Sequence, residues 1–163
     1  MSGYMRKRWW GLLVALAVLG ADAASKVWVL KASDSGTLPW WLMPRTHGHG
    51  EIGLALHWNR GMSFSLFDGV AYGPWVLGGI AVLAIGWFVH WMGQQDGLLH
   101  KAGLGMVVGG ALGNLLDRVV HGAVVDFILV NPWGVFPYTF NVADSAITVG
   151  VALLLLDSWL RRA

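Results

Sequence analysis

The stretch LLHKAGLGMVVGGALGNLLDRVV, residues 98–120, is long and apolar enough to cross a bilayer, and its polar residues lie near its ends. About 20 mostly apolar residues in a helix span the hydrocarbon core. Small residues recur at four-residue spacing and allow a second helix to approach closely, at Gly105, Gly109 and Gly113. The stretch therefore predicts a transmembrane helix inside a bundle.

Three further stretches have the same character: Trp9–Leu30, Ala71–Met92 and Tyr138–Leu160. The whole chain of 163 residues is 56% hydrophobic and 12% charged, with a mean hydropathy of +0.57. Soluble domains carry about 25% charged residues, so this chain needs lipid as a solvent. We therefore expect an all-α integral membrane protein with four transmembrane helices, in a single membrane domain over residues 1–163.

The distribution of basic residues predicts the orientation of the bundle. Six lie at the termini or beside the short 93–97 turn: Arg6, Lys7, Arg8, Lys101, Arg161 and Arg162. The two other connections hold only Lys31, Arg45 and Arg60. Because cytoplasmic loops are enriched in Lys and Arg, both termini are predicted to be cytoplasmic, with segments 31–70 and 121–137 outside.

The N-terminal segment has an alternative interpretation. A basic start, an apolar run from Trp9 to Gly20 and the triplet Ala21-Asp22-Ala23 also resemble a cleavable signal peptide. Apolar character resumes in Val27–Leu30, and the Asp22/Lys26 pair would have no reason to be in a discarded segment. We therefore favour a retained helix.

The outer segment contains a stretch that is not typical of a membrane span. Residues 51–59, EIGLALHWN, alternate partly and predict a strand, and Asn59-Arg60-Gly61 predicts a turn leading to Phe64–Phe67. We expect a small extramembrane β element on the periplasmic side.

Polar residues from three helices converge at one depth. With a rise of about 1.5 Å per residue, Asn114, Asp117 and Arg118 lie roughly 24–30 Å from the inner end of their helix. By the same measure Asp144 lies roughly 25 Å and Asn141 roughly 30 Å along the fourth helix, and Asp22 and Lys26 lie roughly 21–27 Å along the first. Ionisable groups inside a membrane are costly and usually functional.

Two of these carboxylates, Asp126 and Asp144, differ from the others because no basic residue near them in sequence can neutralise them. Asp22 and Lys26 can form a structural i,i+4 ion pair, and the Asp117–Arg118 pair can order the helix ends. Two close carboxylates in a low-dielectric setting share a proton, as an acid/base pair requires. The sequence does not reveal whether they meet.

Four blocks of the sequence together resemble the lipoprotein signal peptidases, or signal peptidase II, which are bacterial membrane aspartyl proteases. The blocks are DAASK at 22–26, NRGMSFS at 59–65, GGALGNLLDR at 109–118 continued by GAVVDFI at 122–128, and FNVADSAI at 140–147. Their order and spacing cover nearly the whole chain. One departure is Met62-Ser63, where the family often has alanines.

The resemblance implies a function and a set of residue roles. Asp126 and Asp144 would be the catalytic dyad, and the site would be lined or supported by Asp22, Lys26, Asn59, Gly61, Asn114, Asp117, Arg118 and Asn141. The substrate would be a diacylglyceryl-modified prolipoprotein, cleaved before the lipidated cysteine at the outer face of the inner membrane. No metal or organic cofactor, no nucleic-acid partner and a monomer in membrane lipid are expected.

Three other functions compete with this interpretation. A transporter or proton channel would need polar residues at successive depths, whereas the inner helix halves are almost purely apolar. A metal-dependent phosphotransferase could use Asp117, Asp126 and Asp144, or the loop residues His47, His49, Glu51 and His57. Serine catalysis is disfavoured because Ser25 and Lys26 are adjacent and diverge on a helix, and no cysteine exists for thiol catalysis.

Overall fold

Four long helices dominate the computed structural model, which describes residues 3–43, 50–61, 73–94, 96–132 and 137–162. Helix α1 covers Gly3–Asp34, α2 covers Gly73–Met92, α3 covers Leu98–His121 and α4 covers Val142–Leu160. All four contain a segment long and apolar enough to cross a membrane. Large apolar side chains on their outer surfaces are exposed, including Leu83, Leu155 and Trp159, as expected for contact with lipid.

Helix α3 lies at the centre of the bundle and packs against α1, α2 and α4. Its glycines allow this close packing. A Cβ on Gly109 would approach the carbonyl oxygen of Ala15 in α1 to 2.5 Å, and one on Gly103 would approach that of Gly150 in α4 to 2.9 Å. The small residues predicted to face the bundle interior therefore do so.

A four-stranded antiparallel sheet extends beyond the helices, in the order β1-β2-β3-β4. The strands are β1 (Trp40–Met43), β2 (Glu51–Asn59), β3 (Val124–Asn131) and β4 (Tyr138–Phe140). The predicted strand at residues 51–59 is confirmed as β2, and Asn59 does begin a turn, since its Oδ1 accepts a hydrogen bond from the Gly61 amide at 2.8 Å. Phe64–Phe67 lie outside the described residues.

The structure departs from the predicted elements in four ways. The predicted β element is present but larger than expected, because β1, β3 and β4 join β2 in one sheet. Residues 138–140, predicted as helix, pair with β3, and α4 begins only at Val142. Asn141, predicted on the helix, is its N-cap residue, with extended backbone. Helix α1 also continues beyond Leu30 to Asp34.

Candidate active site

The polar residues predicted to converge do so at the junction of α1, α3, α4 and the sheet. Asp126 projects from β3, and Asp144 lies in the first turn of α4. Asn141 contacts both carboxylates. Its Nδ2 donates to Asp126 Oδ1 at 2.7 Å, its backbone amide donates to Asp144 Oδ2 at 3.3 Å, and its Oδ1 accepts from the Asp144 amide at 2.9 Å. The two carboxylates are therefore neighbours.

Asp126 lies in a desolvated pocket of amide donors. Its side chain is almost fully buried and accepts hydrogen bonds from Asn59 Nδ2 at 2.9 Å and Asn141 Nδ2 at 2.7 Å. Burial raises the pKa of Asp126 to about 6, since the two hydrogen bonds only partly offset the desolvation and the charge of Asp144 adds to it. This carboxyl group therefore binds a proton much more readily than an exposed aspartate.

Asp144 lies at the start of a helix and is less buried than Asp126. It is the third residue of α4 and forms a capping box with Asn141. The helix dipole stabilises a negative charge at this position. Asn114 Nδ2 adds a hydrogen bond to Asp144 Oδ1 at 2.7 Å.

The amides of Asn114 and Asn141 have only one orientation that satisfies their partners. Asn114 Oδ1 accepts from Asn141 Nδ2 at 3.1 Å and faces Lys26 Nζ at 3.4 Å, so its Nδ2 must point to Asp144. Since the Asn141 oxygen caps α4, its Nδ2 must point to Asp126. Each carboxylate therefore receives a donor of fixed direction.

Lys26 joins the helices beneath this pair. Its ammonium contacts Asp22 Oδ2 at 2.7 Å and Asp117 Oδ2 at 2.8 Å, and all three side chains are buried or nearly so. Asp22 Oδ1 accepts from the Ala143 amide, and Asp117 Oδ2 from the Val125 amide, both at 2.9 Å. The ion pairs thus fix the backbone next to both Asp144 and Asp126.

A cavity of about 660 Å³ opens beside Asp144. Asn59, Gly61 and Arg118 contribute polar groups to its wall. The remaining wall is mostly apolar or hydroxyl-bearing and comprises Leu77, Tyr138, Thr139, Phe140, Ser145, Thr148 and Val149. Its volume and mixed lining suit an amphiphilic ligand presented to Asp144.

The cavity wall includes residues that the sequence analysis did not identify, notably Tyr138–Phe140 and Ser145. The Asn141-x-x-Asp144 capping box is a sequence signal for a helix start, and it could have separated Tyr138–Phe140 from the helix. No comparable signal exists for the contribution of Leu77, because its position depends on how α2 packs.

The described residues contain no group of three His, Cys, Asp or Glu side chains close enough to hold a metal ion. Glu51 accepts a hydrogen bond from Asn131 Nδ2 at 3.0 Å, and His57 lies opposite Asp126 across the β2–β3 pair. His47 and His49 lie outside the described residues.

Four long apolar helices with a buried polar cluster at one end of the bundle are typical of a polytopic membrane protein. Residues 14–160 match the family profile described as signal peptidase (SPase) II. The chain belongs to the signal peptidase II family, whose members cleave signal peptides from prolipoproteins, and it is an aspartic endopeptidase of that type.

Individual relatives agree with the family match. The chain is 41% identical to the lipoprotein signal peptidase of Caulobacter vibrioides over 156 residues, covering 95% of this chain and 89% of that protein. It is also 41% identical to the one from Methylorubrum extorquens, covering 91% and 84%. A solved bacterial membrane enzyme, determined at 2.3 Å resolution, superimposes with a TM-score of 0.71 at 25% identity, covering 94% of this chain and 89% of that one.

Proposed function

We propose that Asp126 and Asp144 are the catalytic pair with which this endopeptidase cleaves diacylglyceryl-modified prolipoproteins before the lipidated cysteine. The observation that supports this proposal is that Asn141 contacts both carboxylates. Its Nδ2 donates to Asp126 Oδ1 at 2.7 Å, and its backbone amide donates to Asp144 Oδ2 at 3.3 Å. A pair of neighbouring carboxylates with different environments supplies both an acid and a base.

The different environments of the two carboxylates support different roles. Asp144, at the N-terminus of α4, is the ionised base and takes a proton from the attacking water. Asp126, buried and proton-binding, polarises the scissile carbonyl oxygen by hydrogen bonding to it. The tetrahedral intermediate collapses when the leaving amine receives a proton from the pair, and no metal or organic cofactor takes part in these steps.

The remaining predicted residues have supporting roles. Asn59, Asn114 and Asn141 orient the two carboxylates, and Asp22, Lys26 and Asp117 hold the segments that carry them. Gly61 and Arg118 line the cavity, where the substrate main chain passes Asp144. The apolar wall of this cavity takes the lipid and the apolar end of the signal peptide.

The site belongs at the outer face of the bacterial inner membrane, with both termini in the cytoplasm. Six basic residues at the termini and the 93–97 turn, against three in the other connections, support this orientation. Residues 1–163 form a single membrane domain that acts as a monomer in contact with membrane lipids.

The decisive experiment measures cleavage of a diacylated prolipoprotein by purified Asp126→Asn and Asp144→Asn variants. We expect each rate to fall by about 10²–10⁴-fold or more, because an amide cannot exchange a proton in either role. Asp34→Asn, which changes an exposed carboxylate at the end of α1, is the matched control and should cleave normally. Cleavage at the normal rate by either site variant would refute the pair.

A second arm addresses the metal-dependent alternative. Activity of the unmodified chain should survive EDTA. Loss of activity that Mg²⁺ restores would instead favour metal-dependent chemistry.

A further inference from the structure

A second polar cluster lies at the opposite end of the bundle and has no part in the proposed cleavage. His100 is near the start of α3 and Asp157 near the end of α4, whereas Asp117 and Asp144 lie at the other ends of the same helices. Seventeen residues of helix separate His100 from Asp117, roughly 26 Å. The two clusters therefore face different leaflets.

The cluster surrounds a cavity of about 230 Å³. One side of the wall is apolar, formed by Trp91 and Leu154. The other side is polar and formed by His100, Asp157, Ser158, Arg161 and Arg162. The volume far exceeds the roughly 30 Å³ share of one water molecule.

One polar atom of the wall, His100 Nε2, is buried and makes no hydrogen bond of good geometry in the described part of the chain, although the Trp91 backbone also interacts with the ring. The His100 residue is 2% exposed. Its other ring nitrogen, Nδ1, lies 3.7 Å from Asp157 Oδ2, and Trp91 packs edge-on against the ring. Leaving a buried polar atom unpaired costs free energy, which a ligand atom at Nε2 would recover.

The charges around the cavity favour an anion. Arg161 Nε pairs with Asp157 Oδ2 at 2.8 Å and neutralises the only carboxylate of the wall. In the described part of the chain, the Arg162 side chain is exposed and makes no hydrogen bond or ion pair. Lys101, which pairs with Asp96 at 3.4 Å, lies next to His100 in α3. The wall therefore has an unpaired cation.

From this arrangement we infer that the cavity binds the phosphate of an anionic phospholipid, with Arg162 and His100 Nε2 contacting phosphate oxygens and Trp91 and Leu154 covering the glycerol and the first acyl carbons. The apolar wall favours a lipid over free phosphate. In the proposed orientation this end faces the cytoplasmic leaflet, where anionic lipids are abundant.

The test titrates three probes into the purified full chain: short-chain phosphatidylglycerol, short-chain phosphatidylcholine and inorganic phosphate. We expect phosphatidylglycerol to bind most tightly and Arg162→Gln to weaken it about fivefold, the usual effect of one basic residue at an anionic lipid surface. His100→Leu should also weaken binding. If this buried change prevents folding, the exposed Arg162→Gln decides the result.

The control is Lys31→Gln, which removes an exposed cation in the last turn of α1 and should leave phosphatidylglycerol affinity unchanged. An equal loss in this control would mean that general surface charge binds the lipid, and it would overturn the site. Phosphatidylcholine binding as tightly as phosphatidylglycerol would overturn it too. Inorganic phosphate binding as tightly, with the same dependence on Arg162, would overturn the lipid assignment.

Discussion

At the scale of single residues, Lys26 stabilises two acidic groups that would otherwise be buried without a counter-ion. It lies 2.7 Å from Asp22 and 2.8 Å from Asp117. Removing one member of a buried ionic network costs about 3–5 kcal/mol, because the remaining charges stay desolvated. We therefore expect Lys26→Met to lower the free energy of unfolding by about this amount.

Thermal unfolding in detergent measures this effect, with Lys31→Met as the control on the exposed face of the same helix. The control should change stability by less than about 0.5 kcal/mol. Equal stability of the two variants would mean that the Lys26 ion pairs contribute nothing to the fold.

Asp126 predicts a particular dependence of stability on pH. Its pKa in the folded protein, about 6, exceeds the ordinary aspartate value of 3.8, so the folded state binds the proton more tightly than the unfolded state. Stability from this group is fully present at low pH and is lost as the pH rises from about 4 to about 6. Wild type should therefore lose stability relative to Asp126→Asn across this interval.

Unfolding temperatures of both proteins at about pH 4 and about pH 7 measure the difference. Asp34→Asn accounts for the general effect of losing one carboxylate. The folded-state pKa of Asp126 is not raised if the difference in unfolding temperature between wild type and Asp126→Asn stays constant with pH. The same conclusion follows if wild type gains stability relative to the variant as the pH rises.

The sequence predicted the polar residues that the structure brings together, but neither their contacts nor the cavity wall formed by Leu77 and Tyr138–Phe140. The spacing of Asn114, Asp117 and Arg118 predicted that they share one face of α3. The rise per residue predicted that Asp144 and Asp22 lie at the same depth in the bundle. The hydrogen bond that the Ala143 amide donates to Asp22, 121 residues away in sequence, depends on how the helices pack. Periodicity within one element gives no information about such a contact.

At the scale of secondary-structure elements, the glycines of α3 determine how closely α1 can pack against it. A Cβ at Gly109 would meet the Ala15 backbone, which cannot move aside like a side chain. We expect Gly109→Ala to cost about 1–3 kcal/mol through this overpacking. Gly79→Ala in α2, where no neighbouring atom of the described residues lies within 4 Å of the added Cβ, should be neutral or slightly stabilising.

Chemical or thermal unfolding of the two single variants distinguishes them, because both make the same substitution inside a helix. If Gly109→Ala were as stable as Gly79→Ala, the close contact between α1 and α3 would not be a source of stability.

The strands were harder to predict than the helices for physical reasons. Residues 51–59 alternate partly between apolar and polar side chains, and this pattern predicts a strand, although burial in β2 does not alternate between its two faces. Residues 124–131 are mostly buried, and a continuous apolar run does not distinguish a strand from a helix segment. Residues 138–140, Tyr-Thr-Phe, carry no charge and directly precede the apolar run of α4, so the sequence alone does not separate them from the helix, whereas in the structure they pair with β3.

At the scale of the whole molecule, the two ends of the bundle differ in charge. Buried carboxylates and amides gather with the sheet at one end, and Arg161, Arg162 and Lys101 gather at the other. The sequence indicated this polarity because the carboxylates and amides of three helices lie at one depth, whereas Lys101, Arg161 and Arg162 lie near the opposite ends of their helices. The membrane side of each end does not follow from the packing and depends on the excess of basic residues.

Single-cysteine labelling in intact cells tests that orientation directly, because the natural chain has no cysteine and needs no prior substitution. We introduce Ser35→Cys, at the sheet end of α1, and Gln94→Cys, in the turn between α2 and α3, both at exposed positions. A membrane-impermeant maleimide should label Ser35→Cys in cells with a permeabilised outer membrane, and Gln94→Cys only after the inner membrane is lysed. The unsubstituted chain should give no label under either condition. The reverse pattern would invert the bundle, so that the carboxylates would face the cytoplasm, where a peptidase could not meet an exported prolipoprotein.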